Sequence, residues 1–252
     1  MLQWIGFLLK KDRSIISCRS EKGLKNKQED AFYISPFIHA RRLIIVADGV
    51  GGHAKGDFAS NLCIDVFREE FLGLDLNFDP AAFLEATSIL TAEKILDKST
   101  SDPEFINCGT TVSGFLIYHD NIFTLNIGDS RVYIFREGIL SQITEDHSLV
   151  KQMVAQGRIT EAEALVHPKR NIMTSAIGQP LEKMTISIAG PTQCYKNDIL
   201  LACTDGVHGF LNDQNISQII QESQPRILAD IIVESALKSG STDNITCCCI
   251  KL

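Results

Sequence analysis

The chain of 252 residues carries 24 Lys and Arg against 31 Asp and Glu, a formal net charge of −7, with 44 % hydrophobic and 22 % charged residues. That mix excludes a mainly disordered chain, which could not bury enough apolar surface to offset its ordering entropy, and the length allows one large domain or two small ones. It also excludes a nucleic-acid binder that works by bulk charge, because no basic block is longer than Lys10-Lys11 or Arg41-Arg42.

The apolar start, Met1–Leu9, is followed by Lys10 and Lys11 and reads as a first strand or a docking segment. It is too short to span a bilayer and lacks the basic leader and small-residue cleavage site of a secretory signal. No other stretch approaches 18 apolar residues, so a soluble, cytoplasmic protein is expected. Strand-like runs follow at Ser14–Ser17, Arg42–Ala47, Thr111–Tyr118, Ile122–Asn126, Arg131–Arg136, Met184–Ile188, Ile199–Thr204 and Ile245–Lys251. Helical spacing places Phe58, Leu62 and Val66 on one face over Asp57–Phe71. A second helix is expected from Pro80 to about Lys98, and a third from Pro225 to a stop at Gly240. From Asp146 to about Asn171 the pattern becomes short, charged helical pieces, among them Thr160-Glu161-Ala162-Glu163, a capping box. This reads as a helical insertion of the kind that acts as a flap. Strands in blocks with helices between them give an α+β fold with mostly antiparallel sheets.

Eight cysteines in a chain of this length do not make a disulfide framework. Cys247-Cys248-Cys249 point to alternate faces of a strand and cannot close one zinc cage, so all eight are expected as buried small hydrophobes.

Carboxylates at strand ends carry the chemistry. Leu43–Ala47 runs into Asp48-Gly49-Val50, and Ile199–Thr204 runs into Asp205-Gly206-Val207. In each, an apolar strand delivers an acid to its end and a glycine lets the chain turn. Asp129 stands at the turn Gly128-Asp129-Ser130, Asp243-Asn244 precedes the last strand, and Glu29-Asp30 precedes Ala31–Ile34. Gathered at one edge, these acids would repel one another unless hard divalent cations neutralised them. An all-oxygen donor set selects Mg²⁺ or Mn²⁺ over Zn²⁺. Two such ions activate a water and stabilise in-line displacement at phosphorus.

At these residues the chain resembles the metal-dependent Ser/Thr protein phosphatases of type 2C, the PPM family, in their bacterial form. The matching elements run in order from about Ser20 to Leu252: Gly23…Gln28-Glu29-Asp30, Val46–His53, Gly109-Thr110-Thr111, Asn126–Tyr133, Asp146-His147-Ser148, Ala176-Ile177-Gly178, Thr204–Val207 and Asp243–Thr246. The resemblance implies a four-layer αββα sandwich over residues 1–252, with the flap at about 146–171 and residues 1–13 as an extension or first strand. It implies that Asp48 bridges two core metal ions, Mn²⁺ or Mg²⁺, and that Asp205 and Asp243 complete the first. The Gly49 carbonyl binds the second, which Asp30 reaches through water, and Asp129 with Asp205 matches the site of a weaker third ion. The implied reaction is direct attack of a metal-activated water on phosphoserine or phosphothreonine. Implied partners are phosphorylated proteins and a cognate Ser/Thr kinase, with no nucleic acid, no membrane span and a monomeric state.

Some positions depart from the family pattern. Lys25 stands where the family has an Arg that grips the phosphate; it keeps the charge and loses the bidentate fork. Gln28 replaces an Asn. Val50 stands where some eukaryotic members place a candidate acid His, which leaves protonation of the leaving group to water. Among other polar residues, His53 is expected to hold its loop, His147 to stabilise a turn, Arg131 to pair with a carboxylate, and His208 to tune the site or sit at the surface.

Rival readings are weaker. Gly49-Val50-Gly51-Gly52-His53-Ala54 formally fits a dinucleotide fingerprint, but Asp48 would then face the pyrophosphate with like charge. A cysteine phosphatase needs Arg six residues after its nucleophile, and no cysteine has one. The remaining alternative, a catalytically silent module on the same fold, would carry clustered carboxylates as a standing electrostatic cost.

Overall fold

The computed structural model describes residues 12–50 and 55–252. The expectations for Met1–Leu9 and His53 therefore lie outside the described residues. The strands are β1 (Ile15–Glu21), β2 (Asp30–Ile34), β3 (Arg41–Val50), β4 (Gly109–Thr110), β5 (Val112–Tyr118), β6 (Asn121–Ile127), β7 (Arg131–Arg136), β8 (Ile139–Gln142), β9 (Ser187–Gln193), β10 (Ile199–Cys203) and β11 (Ile245–Lys251). They form two sheets, one in the order β1-β11-β10-β7-β8 and one in the order β2-β3-β5-β6-β9 with β4 paired to β3; all of their strand pairings are antiparallel.

Alternation along the central strands builds the layers. On β3, Leu43, Ile45 and Ala47 enter one core, while Ile44 and Val46 enter another. The first core lies under helices α1 (Gly56–Gly73) and α2 (Pro80–Ser101), which contribute Ala59, Cys63, Phe67, Phe71, Leu84 and Ile95. The second lies between the sheets, where Ile44, Val46, Phe115 and Ile117 meet Val132, Ile134, Leu200, Ala202, Cys248 and Ile250. On the far side, Leu201, Cys203, Cys247 and Cys249 pack against the helices that supply Ile216, Ile232 and Val233. These are α6 (Asp213–Glu222) and α7 (Leu228–Lys238). Because β3, β10 and β11 are covered on both faces, they read as near-continuous apolar runs. The order helix–sheet–sheet–helix is the αββα sandwich expected from the resemblance. Each fully buried Leu, Ile or Phe in it contributes roughly 1.5–3 kcal/mol.

Local chemistry explains the ends of the elements. Asp79 caps α2 by accepting from the amides of Ala81 and Ala82, with Pro80 in the first turn. A 3₁₀ turn over Pro225–Ile227 leads into α7, and Gly240, at φ 92°, follows its end. The segment expected as a flap holds two short helices, α3 (Leu149–Ala155) and α4 (Glu161–Val166), and Thr160 and Glu163 form the expected capping box.

Several expectations need correction. The run Met184–Ile188 is not the strand: a 3₁₀ turn covers Leu181–Lys183 and β9 runs Ser187–Gln193, mostly exposed at the sheet edge, where alternation has no second core to report. Cys18 and Cys248 are not separate thiols. They are register partners on β1 and β11, and their sulfurs are joined. Cys63, Cys108, Cys203, Cys247 and Cys249 are free and buried, as expected.

Candidate metal centre

Antiparallel pairing brings the acid-bearing strand ends to one edge. β2 starts at Asp30, directly opposite Asp48 on β3. β1 ends and β11 begins at that edge, with Glu21 opposite Ile245, and β10 runs out there through Cys203, opposite Cys247. Asp205 opens α5 (Asp205–His208), a single turn after β10, and Asp129 sits in the turn between β6 and β7. By the alternation of β3, Asp48 follows Ile44 and Val46 on the face between the sheets.

Hydrogen bonds fix the backbone around these acids. The Asp48 amide donates to Thr111 Oγ1 at 3.0 Å, and its carbonyl accepts from the Thr111 amide at 2.8 Å and Thr110 Oγ1 at 3.0 Å. Thr204 Oγ1 donates to Asp30 Oδ2 at 2.9 Å while accepting from the Thr246 amide at 3.0 Å. Gly49 donates to the Glu29 carbonyl at 3.0 Å, and a Cβ on Gly49 would run into the backbone of Gly56 and Glu29. Only glycine permits that approach.

Lys25 lies on the loop after β1. Its Nζ stands 2.8 Å from Asp243 Oδ1. The loop is pinned by Asn244, whose Nδ2 donates to the carbonyls of Lys22 at 2.8 Å and Lys27 at 3.0 Å, and whose Oδ1 accepts from the Glu29 amide at 2.8 Å. Gly23, at φ 62°, leaves no room for a Cβ against the Asp243 carbonyl. Gln28 turns away to donate to Ser20 Oγ at 2.7 Å.

The electrostatics match a crowded anionic site. Burial, opposed by hydrogen bonds from Thr246 and Thr204 and reinforced by repulsion from Asp205 and Asp243, lifts Asp30 to about 7. Burial and then Asp205 and Asp146 lift Asp129 to about 7. Asp48 is pushed well up by burial and by its repulsion from Asp30, Asp205, Asp129 and Asp243. Asp205 is raised by burial and by Asp243. Lys25 is held more firmly protonated by its hydrogen bond to Asp243 and by attraction to Asp205 and Asp48. The sequence-predicted acids therefore act on one another across the edge.

Among the described residues, no three Asp, Glu, His or Cys side chains are grouped closely enough to hold a metal ion by themselves. Hard divalent ions keep several waters and need only a few carboxylates, so an acidic cluster can serve them without a closed protein cage. Two oxygens test the fit directly. Asp30 Oδ1 and Asp205 Oδ1 are buried with no hydrogen-bond partner, a cost that a cation with oxygen ligands removes. The donor set is all oxygen, and the residues fit divalent ions of the Mg²⁺ and Mn²⁺ kind.

The Protein phosphatase 2C family profile matches residues 17–175. The chain belongs to the protein phosphatase 2C family. It is 29 % identical over 245 residues to serine/threonine phosphatase stp of Listeria monocytogenes, covering 90 % of this chain and 92 % of that one. It is 32 % identical over 234 residues to the serine/threonine protein phosphatase PstP of Mycobacterium tuberculosis, covering 91 % of this chain but only 43 % of that longer protein. A solved structure of a PstP catalytic domain in complex with two manganese ions superposes with a TM-score of 0.82 at 29 % identity, covering 94 % of this chain and 97 % of that one.

Within this phosphatase 2C chain, the flap root is a buried network. Arg131 holds Asp146 through Nε at 2.9 Å and Nη2 at 2.6 Å, and Gln142 donates to Asp146 at 2.7 Å. His147 Nδ1 accepts from the Gly128 amide at 3.2 Å, so Nε2 donates to Ser187 Oγ at 2.8 Å. Both match the structural roles expected of them. His208 does not sit at the surface. It is half-buried, and its Nε2 donates to the Asp129 carbonyl at 3.0 Å. Burial, with repulsion from Arg131, depresses it to about 3. Thr204 and Asn244 escaped sequence reasoning as working residues. Their place immediately beside Asp205 and Asp243 was the available signal.

Proposed function

We infer that the chain is a metal-dependent protein serine/threonine phosphatase, with Asp48, Asp205, Asp243, Asp30, the Gly49 carbonyl and Asp129 as the residues that hold the ions. The observation that carries this reading is the gathering of Asp30, Asp48, Asp129, Asp205 and Asp243 at one end of the two sheets, with Asp30 opposite Asp48 and the buried Oδ1 atoms of Asp30 and Asp205 left without a hydrogen-bond partner. Family membership supplies the reaction class. Two core ions, Mn²⁺ or Mg²⁺, with a weaker third between Asp129 and Asp205, account for the donors. When bound, they supply Lewis acidity at phosphoryl oxygens and lower the pKa of water.

The chain's own groups then bind and orient. Asp48 faces the gap between the sheets and sets the spacing of the donors around it. Thr204 holds Asp30 Oδ2, leaving Oδ1 directed to a new partner. Lys25 brings an ammonium to the same place and anchors the phosphate of the substrate as a point charge rather than a fork. In the overall reaction the bond from phosphorus to the serine or threonine oxygen breaks, water supplies the new bond to phosphorus, and the leaving oxygen takes a proton.

The substrates are phosphorylated proteins made by a Ser/Thr kinase, and the working unit is one domain, a cytoplasmic monomer with its flap at about 146–171. Among the described residues no helix is long and apolar enough to cross a membrane. Hydrolysis of a phosphothreonine peptide and of p-nitrophenyl phosphate, compared in Mn²⁺, Mg²⁺ and EDTA, tests the reading. Turnover that requires metal is expected; a folded chain that binds Mn²⁺ and turns over neither substrate would favour the silent module.

A further inference from the structure

The turn that carries Asp129 and the turn that carries Asp205 come from different parts of the chain. Asp205 opens α5, a single turn over Asp205–His208 that closes with the Gly209 amide donating to the Asp205 carbonyl at 2.8 Å and is tied to the segment before β11 by Ser241 Oγ donating to the Gly206 carbonyl at 3.0 Å. Asp129 lies between β6 and β7 and is half-buried. The two carboxylates repel each other. Among the described residues, the His208 side chain joins the two turns directly. His208, three residues after Asp205 on that single turn, donates from Nε2 to the Asp129 carbonyl at 3.0 Å. A carbonyl only accepts, so the ring must carry its proton on Nε2.

We propose that His208 is a positioning residue, fixing the Asp129 turn against the α5 turn so that Asp129 and Asp205 can share an ion. This rests on the metal reading given above. The imidazole suits the task because it reaches far with few rotatable bonds. The other side of the Asp129 turn is already tied down, by Gly128 to His147 and by Ser130 Oγ to Thr111 Oγ1 at 2.8 Å. The turn is thus fastened to His147 and to Thr111, between β4 and β5, independently of His208, so loss of the imidazole frees chiefly its separation from Asp205. Partners that orient a metal ligand typically change affinity by about 10–100-fold when removed. His208 touches only the ligand's backbone, which places the expected effect at the lower end.

The test is Mn²⁺ binding, followed by calorimetry and by electron paramagnetic resonance, on the wild-type chain, His208→Ala and His208→Gln, each first shown to unfold cooperatively. The Ala variant is expected to weaken the weakest Mn²⁺ site about 10-fold while the tighter sites keep their affinity. The Gln variant, whose Nε2 can occupy a similar position, should recover most of that loss. At saturating Mn²⁺ the KM for a phosphopeptide should match wild type in both. Wild-type affinity at every site of His208→Ala would overturn the proposal. So would a Gln variant no better than Ala, which would mark a merely structural role. Wild-type protein that hydrolyses phosphopeptide yet binds Mn²⁺ only at tight sites would also overturn it, with the phosphatase reading intact. No Mn²⁺ binding and no hydrolysis would remove that reading and this proposal together.

Discussion

Replacing Asp129 by Asn should stabilise the metal-free protein at alkaline pH. Burial and repulsion lift Asp129 from the ordinary 3.8 to about 7, so the folded state resists its ionisation. Between those values the folded chain binds more protons than the unfolded one, and stability falls as the pH rises through that window. Above it, a gap of about 3 pH units at roughly 1.4 kcal/mol each sets an upper bound of about 4 kcal/mol. Asp129 is half-buried rather than sealed, and solvent screening reduces the effect to roughly 1–3 kcal/mol. Asn has nearly the same shape and no charge to lose. In EDTA at pH 8 the variant should therefore melt about 2–12 °C above wild type, taking 2–4 °C per kcal/mol for a chain of this size. At pH 5, where the unfolded acid is already ionised and the folded one is not, the gap should shrink to roughly 40 % of its pH 8 value, and it should close below about pH 3.8. His208, depressed to about 3, acts in the opposite sense, adding stability as the pH rises from 3 to 6.5. It is present in both proteins and largely cancels from their difference. Saturating Mn²⁺ should reverse the order, because the wild type gains more from binding. Thermal unfolding by circular dichroism at both pH values, with and without Mn²⁺, measures all of this. An Asp129→Asn variant that melts below wild type in EDTA at pH 8 would refute the electrostatic reasoning.

Two further substitutions probe the loop that carries Lys25. Lys25→Arg restores a bidentate fork and should lower the KM for a phosphopeptide several-fold; an unchanged or higher KM would mean that Lys25 does not grip the phosphate. Asn244→Asp removes the donor shared by the Lys22 and Lys27 carbonyls and sets a charge against them. It should cost about 3–5 kcal/mol in urea unfolding in EDTA, and a loss below about 1 kcal/mol would show that the loop is held by other contacts.

The helices and central strands were legible because each buries a regular face. Phe58, Leu62 and Val66 follow α1, and the double-sided runs of β3, β10 and β11 announce strands covered by two cores. Elements at the margin were not. β8 exposes alternate residues, β4 has only Gly109 and Thr110, and β9 continues through exposed polar residues. α6 buries only Ile216 and Ile220, so its apolar signal is thin; the Asn212–Asn215 capping box would have found it. The strand-end acids could be read because Asp-Gly after an apolar run is a local pattern. Their convergence is a property of antiparallel pairing, visible in the opposition of Asp30 and Asp48, and no local pattern contains it. The joined sulfurs of Cys18 and Cys248 were hidden for the same reason: residues 230 apart in sequence become neighbours only through register.

The central claim is that this carboxylate cluster holds the ions that make the chain a phosphatase. Equilibrium dialysis with Mn²⁺, run beside phosphothreonine-peptide hydrolysis on the same samples of wild type and Asp48→Asn, tests it most directly. The account predicts at least two Mn²⁺ ions per wild-type chain, turnover that rises with their occupancy, and a folded Asp48→Asn variant that loses both together. Full turnover by the variant, or wild-type turnover undiminished in EDTA, would contradict it.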